Sequence, residues 1–474
     1  MEIPDNIQDL KDLLAAVLVR LAGLEAENAA LKTENAALTA ENAELRQRLG
    51  LNSQNSHKPP SSDGLSKKPA FPKESGKKSG GQKGHPGSTL RTVSDPDAVV
   101  VHHAPHCRRC QRRFSVADVG QVVQQRQVFD IPAPKLEVVE HQLGEILCCG
   151  ERHYGELPPE VTQAVQYGPR IKALGVLLNT DYRVPLEKVE RLLGDLYGCS
   201  FNESTVVVAQ TECAEQLAPV EEEIKSALLD SPTVHFDETG LRVANKLHWC
   251  HVASNALFTY LFVHQKRGHG ALSSEASLLP DFRQWAIHDC WASYFGFVQC
   301  CHALCNAHLL RELENLKEQG SVWGARMKEL LLELYEASGK GREVLAGRAG
   351  WEAKYEEVLQ AGDAEEPPPE QPSRGKPKNS RGRNLLNRLR KHEAGVLAFA
   401  FTAEVPFTNN QAERDLRCVK VKQKVSQCFR TLGGAQKYAR IQGFVSTVRK
   451  HERNVFQELV NVFSRKAVSF QTAK

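Results

Sequence analysis

The chain has 474 residues and a formal net charge of +4, and 25% of its residues are charged. This length exceeds what one hydrophobic core usually supports, so we expect several domains. The polar, acidic start does not fit a secretory signal, and no apolar run approaches the roughly 20 residues of a membrane helix. Thirteen cysteines without such a signal favour a reducing cytoplasm, with metal sites or buried thiols in place of disulfides.

Residues 1–50 carry an apolar heptad repeat. Leucine or valine recurs every seven residues from Leu10 to Leu45, at position d of the heptad. At the other core position, a, three of the six residues are asparagines. This combination lowers stability but fixes the register, and it is typical of a parallel dimer. A single surface helix is the alternative, although its buried face would be unusually polar. We predict a coiled coil that makes the chain a homodimer.

Residues 51–90 are rich in Ser, Pro, Gly and Lys. Such a segment cannot bury a core, so we predict a basic, disordered linker. Its lysines could neutralise DNA phosphates without reading sequence, and a merely solvated linker explains the composition equally well. The candidate DNA contacts are Lys58, Lys67, Lys68, Lys77, Lys78 and Lys83.

Residues 91–165 contain two pairs of cysteines. A Cys-x-x-Cys knuckle followed by a second cysteine pair is typical of a structural zinc ribbon, and stretches 121–130 and 135–141 alternate like strands. Adjacent cysteines chelate one ion poorly, so His141 or His153 could supply the fourth ligand, and a metal-free ribbon is the alternative. The candidate Zn²⁺ ligands are Cys107, Cys110, Cys148 and Cys149.

Residues 166–230 have the pattern of helices. An apolar stripe covers 171–178, Pro185 opens a second helix, and Ser204 could cap a third helix after a turn at Gly198. A helix, a short turn and a capped helix resemble a helix-turn-helix, so DNA binding is one interpretation. Helical hairpins also occur in folds that do not touch DNA, which leaves a purely structural role open.

Three separated carboxylates are the candidate catalytic residues. Asp237 and Asp289 each follow a short apolar run that predicts a strand, and Glu413 lies at the start of a predicted helix. Mg²⁺ prefers hard oxygen ligands, and two Mg²⁺ or Mn²⁺ ions can clamp the attacking and leaving oxygens of a phosphodiester. Glu413 could instead belong to a capping box with Asn410 as N-cap, but that interpretation ignores the two acid-tipped strands.

The region from 231 to 474 suits a ribonuclease H-like sheet with a helical insertion at about 318–400. Strand neighbours point to opposite faces, so Glu238 and His288 should point away from the two aspartates. A second group of cysteines and histidines at 300–308 could bind metal, although a packed structural element is the favoured interpretation. The predicted strands are 233–236, 247–253, 257–263 and 284–288.

A basic stretch follows the third acid. It could hold DNA phosphates near the site or form a solvated helix face, and its place beside a metal–carboxylate centre favours phosphate contact. The candidate residues are Arg414, Arg417, Lys420 and Lys422.

Ordered motifs along most of the chain carry a family resemblance. The segments concerned are 52–56, 58–63, 80–87, 237–240, 288–294, 304–308 and 409–417, together with the ribbon cysteines. With these motifs the chain resembles the large transposase of bacterial insertion-sequence family sixty-six, an acid-triad (DDE-type) enzyme. The Cys305-x-x-His308 element is similar to one found after the second acid in many such transposases.

The resemblance implies a multidomain α+β protein with coiled coil, zinc-ribbon-like module, helix-turn-helix-like domain and catalytic domain. It implies metal-dependent cleavage and joining of DNA by Asp237, Asp289 and Glu413, acting on the terminal repeats of an element and on target DNA. It also implies a cytoplasmic, nucleoid-associated bacterial protein that could need accessory element-encoded proteins. A non-catalytic DNA-binding regulator and a stand-alone nuclease are the two rival functions.

Overall fold

A computed structural model describes residues 7–50, 90–115, 118, 120–158, 160–339, 346–369 and 379–470. The predicted linker, except Leu90, lies outside these residues, and so do its six candidate lysines. None of the helices in the described ranges combines the length and the apolar character needed to cross a bilayer.

The described residues form 14 α-helices and seven strands, which agrees with the predicted α+β class. The helices are α1 Ile7–Gly50, α2 Pro169–Thr180, α3 Leu186–Tyr197, α4 Glu203–Gln216, α5 Ala218–Leu229, α6 His269–Leu272, α7 Asn306–Glu318, α8 Val322–Ser338, α9 Arg348–Glu365, α10 Arg381–Lys391, α11 Glu393–Phe401, α12 Asn410–Ser426, α13 Leu432–Lys450 and α14 Val455–Phe463. The strands are β1 Glu145–Cys148, β2 Glu151–Tyr154, β3 Thr233–Val243, β4 Lys246–Ser254, β5 Thr259–His264, β6 Trp285–His288 and β7 Cys301–Leu304.

Five of the strands form one mixed sheet in the order β5-β4-β3-β6-β7. Strands β3, β4 and β5 are antiparallel neighbours, whereas β6 and β7 run parallel to β3. The four strands predicted for this region are present as β3 to β6. Strand β7 was not predicted; its residues lie in the group of cysteines and histidines at 300–308, which was interpreted as a packed structural element.

The two faces of this sheet bury different side chains. Val234 and Phe236 of β3 belong to a core that also contains residues of α5, α13 and α14. Leu241 and Val243, which lie on the opposite face by strand alternation, pack with residues of α12 and α13. Helix α12, which carries the third candidate acid, therefore lies over the face of β3 that also bears Asp237.

Helices α2, α4 and α5 share this sheet's core. Leu217, Ile224 and Leu228 are buried in the same apolar cluster as Phe236. The boundary predicted at residue 231 therefore does not separate two cores. The predicted cap also differs: the N-cap of α4 is Asn202, whose side chain accepts from the Thr205 N–H, and Ser204 lies inside the helix.

The insertion predicted between the second and third acids is helical. Helices α8 to α11 bury Trp323, Met327 and Tyr355 in one cluster that also includes Ile287 of β6 and Leu304 of β7. This cluster supports the end of the sheet from which Asp289 projects. The insertion is thus packed against the candidate site and is not a separate appendage.

The N-terminal part of the described chain is largely exposed. Helix α1 has 44 residues and is about 66 Å long, and the side chains of Leu24 and Leu31 on its heptad seam are each 55% exposed. The structure assigns no strand to 121–130 or 135–141, contrary to the prediction; among the described residues from 91 to 158, the only strands are the short hairpin β1–β2. Leu10 and Leu45 lie outside the described side chains.

Candidate active site

Strand register places the two aspartates side by side. Strands β3 and β6 are parallel, and Thr233 pairs with Trp285 and His235 with Ile287, an offset of 52 positions. The same offset separates Asp237 from Asp289. If this register continues for two residues beyond the last pair, the two acids lie on neighbouring strands, with backbones about 5 Å apart, on one face of the sheet.

Asn409 fixes the start of the helix that carries Glu413. This residue is 1% exposed, and its Nδ2 donates to the Phe236 carbonyl oxygen at 2.8 Å while its Oδ1 lies 2.8 Å from His235 Nδ1. Its backbone N–H donates to the Cys305 sulfur at 3.1 Å. Both β3 partners lie within two residues of Asp237, so Asn409 attaches the first turn of α12 to the strand of the first acid.

The capping-box alternative for Glu413 does not fit this geometry. Asn410 is the first helical residue and Asn409 is the N-cap, and no side chain caps this helix. Sequence reasoning singled out Asn410 and missed Asn409. The Asn-Asn pair was the available signal, but only the contacts across the fold distinguish its two members.

Burial and neighbouring carboxylates both act on the Asp237 carboxyl. Burial raises the pKa of the Asp237 carboxyl well above its usual range, and the charges of Glu238, Asp289 and Glu413 raise it further. The Glu238 N–H donates to Asp237 Oδ1 at 2.8 Å and opposes this shift in the pKa. Buried carboxylates that repel one another favour a bound cation, because a cation offsets both burial and repulsion.

The Glu238 side chain lies on the opposite face of the sheet from Asp237, as strand alternation predicts. Its carboxylate accepts from the Tyr294 hydroxyl at 2.6 Å and from Arg267 Nε at 2.7 Å. The Arg267 guanidinium in turn lies over the Trp291 ring, 4.2 Å from its centroid. Since Trp291 and Tyr294 belong to the loop after the second acid, Glu238 holds that loop against β3.

His288, which precedes Asp289, also has its contacts on the face opposite the acids. Its ring stacks on Tyr294 with centroids 4.5 Å apart, and its Nε2 lies 3.0 Å from His302 Nδ1. Burial lowers the pKa of His288 well below its usual value. A buried, neutral histidine in this position packs the second-acid loop and does not face the carboxylates.

Cys305, His308 and Glu413 form a compact group. Their ligand atoms lie within 4.8 Å of one another, and within the described ranges no other set of three or more His, Cys, Asp or Glu residues is as close. His308 Nε2 lies 3.7 Å from Glu413 Oε1. Burial raises the pKa of Cys305 to about 11, so the thiol is protonated at neutral pH. In that form it accepts the Asn409 N–H and supports the favoured interpretation of a packed structural element.

The basic residues after Glu413 separate into two groups. Arg414, Arg417 and Lys420 are exposed on α12. Lys422 is 8% exposed, and its ammonium lies 3.4 Å from both the Asn179 carbonyl oxygen and Oδ1. Lys422 therefore packs α12 against α2 and is not available to DNA, which corrects the prediction for this residue.

Lys422→Met is expected to raise the free energy of unfolding by about 1–2 kcal/mol at pH 7. Burial lowers the pKa of Lys422 to about 8, so the folded protein holds this proton less tightly than the unfolded chain. Wild-type stability should then rise from pH 8 towards 10.5, and the advantage of the methionine variant should shrink over the same window. Urea denaturation at several pH values measures this, and an advantage that grows with pH would contradict the assignment.

The four predicted zinc ligands lie as two separate pairs. The Cys148 and Cys149 sulfurs are 3.7 Å apart, and hydrogen bonds with Cys110 and its backbone lower the pKa of Cys107. Residues 90–158 and 160–339 provide no group of three ligands that includes any of these four cysteines. A tetrahedral Zn²⁺ site needs four converging ligands, so the ribbon site stays a prediction.

Comparisons with known families cover most of the chain. A family of unknown function (DUF6444) matches residues 7–91, the segment of the predicted coiled coil and linker. Among curated proteins, none matches the chain. The family model described as Transposase IS66 family matches residues 164–437, from the helices before the sheet to the first turns of α13. Because this match spans more than half of the 474 residues and contains all three candidate acids, the chain belongs to the Transposase IS66 family.

Proposed function

We propose that this transposase cleaves DNA strands at the ends of a mobile element and joins them to target DNA in a metal-dependent reaction. Family membership makes the chain an enzyme that acts on DNA. The observation that carries the finer proposal is the register of β3 and β6, which aligns Asp237 with Asp289 below the helix of Glu413.

The sheet supports a ribonuclease H-like catalytic domain. Strands β3, β4 and β5 are antiparallel, and the two strands parallel to β3, β6 and β7, lie on its other side. Strand β3, the first of the five along the chain, is therefore at the centre of the sheet. Acids from the central strand, from its parallel neighbour and from a later helix then meet on one face. This arrangement gathers residues that are far apart in the chain, as the predicted fold requires.

Asp237, Asp289 and Glu413 would hold the divalent ions, Mg²⁺ or Mn²⁺. Their hard oxygen donors suit these ions, and a bound cation would offset the burial and the neighbouring negative charges that raise the pKa of Asp237. When bound, two such ions supply activation of the attacking hydroxyl and stabilisation of the leaving oxygen. In this proposal Asn409 orients the first turn of α12, and Glu238 positions the second-acid loop.

DNA contacts are proposed for the exposed Arg414, Arg417 and Lys420 of α12. Their charges lie on the same helix as Glu413, where a phosphate backbone entering the site would run. The six lysines of the linker stay a prediction, since they lie outside the described residues. The zinc ribbon has no part in this proposal.

Helix α1 is proposed to pair with a second copy of the chain. Val17, Leu24, Leu31 and Leu38 of its predicted seam are each about half exposed, which is costly for a helix without a partner. Replacing both Leu24 and Leu31 with Asp should convert a dimer to a monomer in sedimentation equilibrium, whereas replacing Ala26 and Thr33, which lie on the outer side of the heptad, with Asp should not. A wild type that sediments as a monomer at micromolar concentration would refute the pairing.

The function is tested with a labelled duplex that carries the element's own ends, a target DNA and Mg²⁺. Joined products are expected for a transposase. Cleavage without joining would favour the stand-alone nuclease. Binding without any chemistry, even with element-encoded accessory proteins added, would favour the non-catalytic regulator and refute the proposal.

A further inference from the structure

We propose that a cleft between the α2–α3 turn and helices α12 and α13 binds the phosphate backbone of the DNA substrate beside the third acid. The inference rests on the proposed function, because it takes DNA as the substrate. It adds a binding site built jointly by the helical segment before the sheet and by the helix of Glu413. No residue of that helical segment was singled out from the sequence as a DNA contact.

The cleft has a volume of about 400 Å³ and a strongly positive wall. Five cationic side chains line it, against two carboxylates. The cations are Arg183, Arg414, Arg417, Arg449 and Lys450, and the carboxylates are Asp181 and Asp415. A concave surface with three excess positive charges concentrates anions, since its low-dielectric walls focus the field.

Both carboxylates are already engaged by cations from α13. Arg449 forms an ion pair with Asp181, whose side chain is 3% exposed. Lys450 Nζ lies 2.8 Å from Asp415 Oδ2 and also donates to the Asn255 and Phe258 carbonyl oxygens. These two pairs build the floor of the cleft. The excess positive charge therefore resides on the three remaining arginines.

Arg183 is directed into the cleft by an unusual backbone conformation. Its φ is +60°, in the left-handed region that a non-glycine residue seldom adopts. From this position Nε donates to the Cys418 carbonyl oxygen at 3.3 Å, and Nη1 donates to the Asp181 carbonyl oxygen at 2.7 Å. Both partners are neutral carbonyls, so the charge of Arg183 is not neutralised by them. A strained backbone retained to place an arginine is what a binding site would need.

Arg414 and Arg417 supply the outer wall. Both are exposed on α12, and within the described part of the chain neither forms an ion pair. These guanidinium forks are donors that suit a phosphodiester, whose oxygens accept hydrogen bonds.

The cleft lies next to the helix position of the third candidate acid, Glu413. Arg417 follows Glu413 by four residues, so the two side chains lie one turn apart on the same side of α12. A backbone phosphate held by Arg417 would therefore lie close to the third acid. Positioning of this kind contributes to the rate because it orients the scissile bond before the reaction.

The test compares the double variant Arg183→Gln/Arg417→Gln, which removes one arginine from each side of the cleft, with wild type in the full chain. Binding of a fluorescent 30-base-pair duplex is followed by anisotropy across a salt series, in EDTA so that no cleavage occurs. Each lost phosphate contact should lower the slope of log K against log salt by about 0.9, so a decrease of nearly two and a weakening of at least about tenfold are expected. Because the contacts are to phosphates, a scrambled duplex should lose the same factor.

The control removes the same charge elsewhere, with Arg465→Gln/Lys466→Gln on an exposed segment after α14 that does not line the cleft. Equal slopes for the cleft variant and wild type, or equal losses in the control, would overturn the inference. A loss confined to the element's own ends would also overturn it, since that outcome means base reading. None of these results depends on cleavage, so the inference can fail while the acid triad stands, and the triad can fail while the cleft still binds DNA.

Discussion

Asp237→Asn is expected to abolish strand cleavage and joining while leaving DNA binding intact. The variant keeps the size of the side chain and removes one charged oxygen ligand from the centre of the acid group. Divalent ions contribute several kcal/mol of transition-state stabilisation in such sites, so the rate should fall on the order of 10³-fold or more. Gel assays of labelled ends with Mg²⁺ measure the chemistry, and anisotropy in EDTA measures the binding.

Thermal stability gives a second measurement that does not depend on turnover. Because the pKa of Asp237 is raised, the folded protein holds this proton more tightly than the unfolded chain, and stability falls as pH rises above the ordinary carboxyl value of 3.8. Asp237→Asn should therefore be more stable than wild type at pH 7 without metal. Mg²⁺ should raise the Tm of wild type and not that of the variant.

The matched control for this prediction is Asp195→Asn, which removes an exposed carboxylate on α3. It should cleave like wild type and should respond to Mg²⁺ in the same way. A wild type whose Tm is insensitive to Mg²⁺ and Mn²⁺, or an Asp237→Asn protein that still joins DNA, would remove Asp237 from the proposed centre.

The sequence predicted the strands of the site because their signals are local. Short apolar runs ending in Asp237 and Asp289 mark strands whatever their partners are, and four of the five strands of the sheet could be predicted in this way. The spacing of 52 between the two acids carried no meaning until the register of β3 and β6 showed the same offset. Strand order and register depend on pairing between distant segments, which a local pattern does not contain.

The misplaced residues have partners far along the chain. Lys422 continues the basic stretch after Glu413 in sequence, yet its ammonium contacts Asn179, 243 positions earlier. Helix periodicity alone could not assign it to the buried face, since lysine is mostly exposed in helices. The zinc ribbon stays a prediction: two cysteine pairs at suitable spacing are necessary for a zinc site, but their convergence is a tertiary property that spacing does not contain.

Asn409→Ala is expected to lower the free energy of unfolding by about 2–3 kcal/mol and to slow cleavage on the order of 10²-fold. The substitution leaves the Phe236 carbonyl and His235 Nδ1 buried without their partner, and it releases the first turn of α12 from β3. Glu413 would then lose its fixed position relative to Asp237. Urea denaturation and single-turnover cleavage, well below the variant's Tm, measure the two effects separately.

Asn410→Ala is the control that isolates the role of Asn409. The two residues are neighbours of the same type, but Asn410 is exposed and Asn409 is 1% exposed. If the helix start acts through its attachment to β3, Asn410→Ala should change stability by no more than about 0.5 kcal/mol and leave cleavage near the wild-type rate. Equal losses from both variants would mean that the Asn-Asn pair acts as a helix cap or binds DNA directly. A loss at Asn409 alone, with the Mg²⁺ concentration for half-maximal rate increased, would show that geometry at β3 governs how Glu413 completes the metal site.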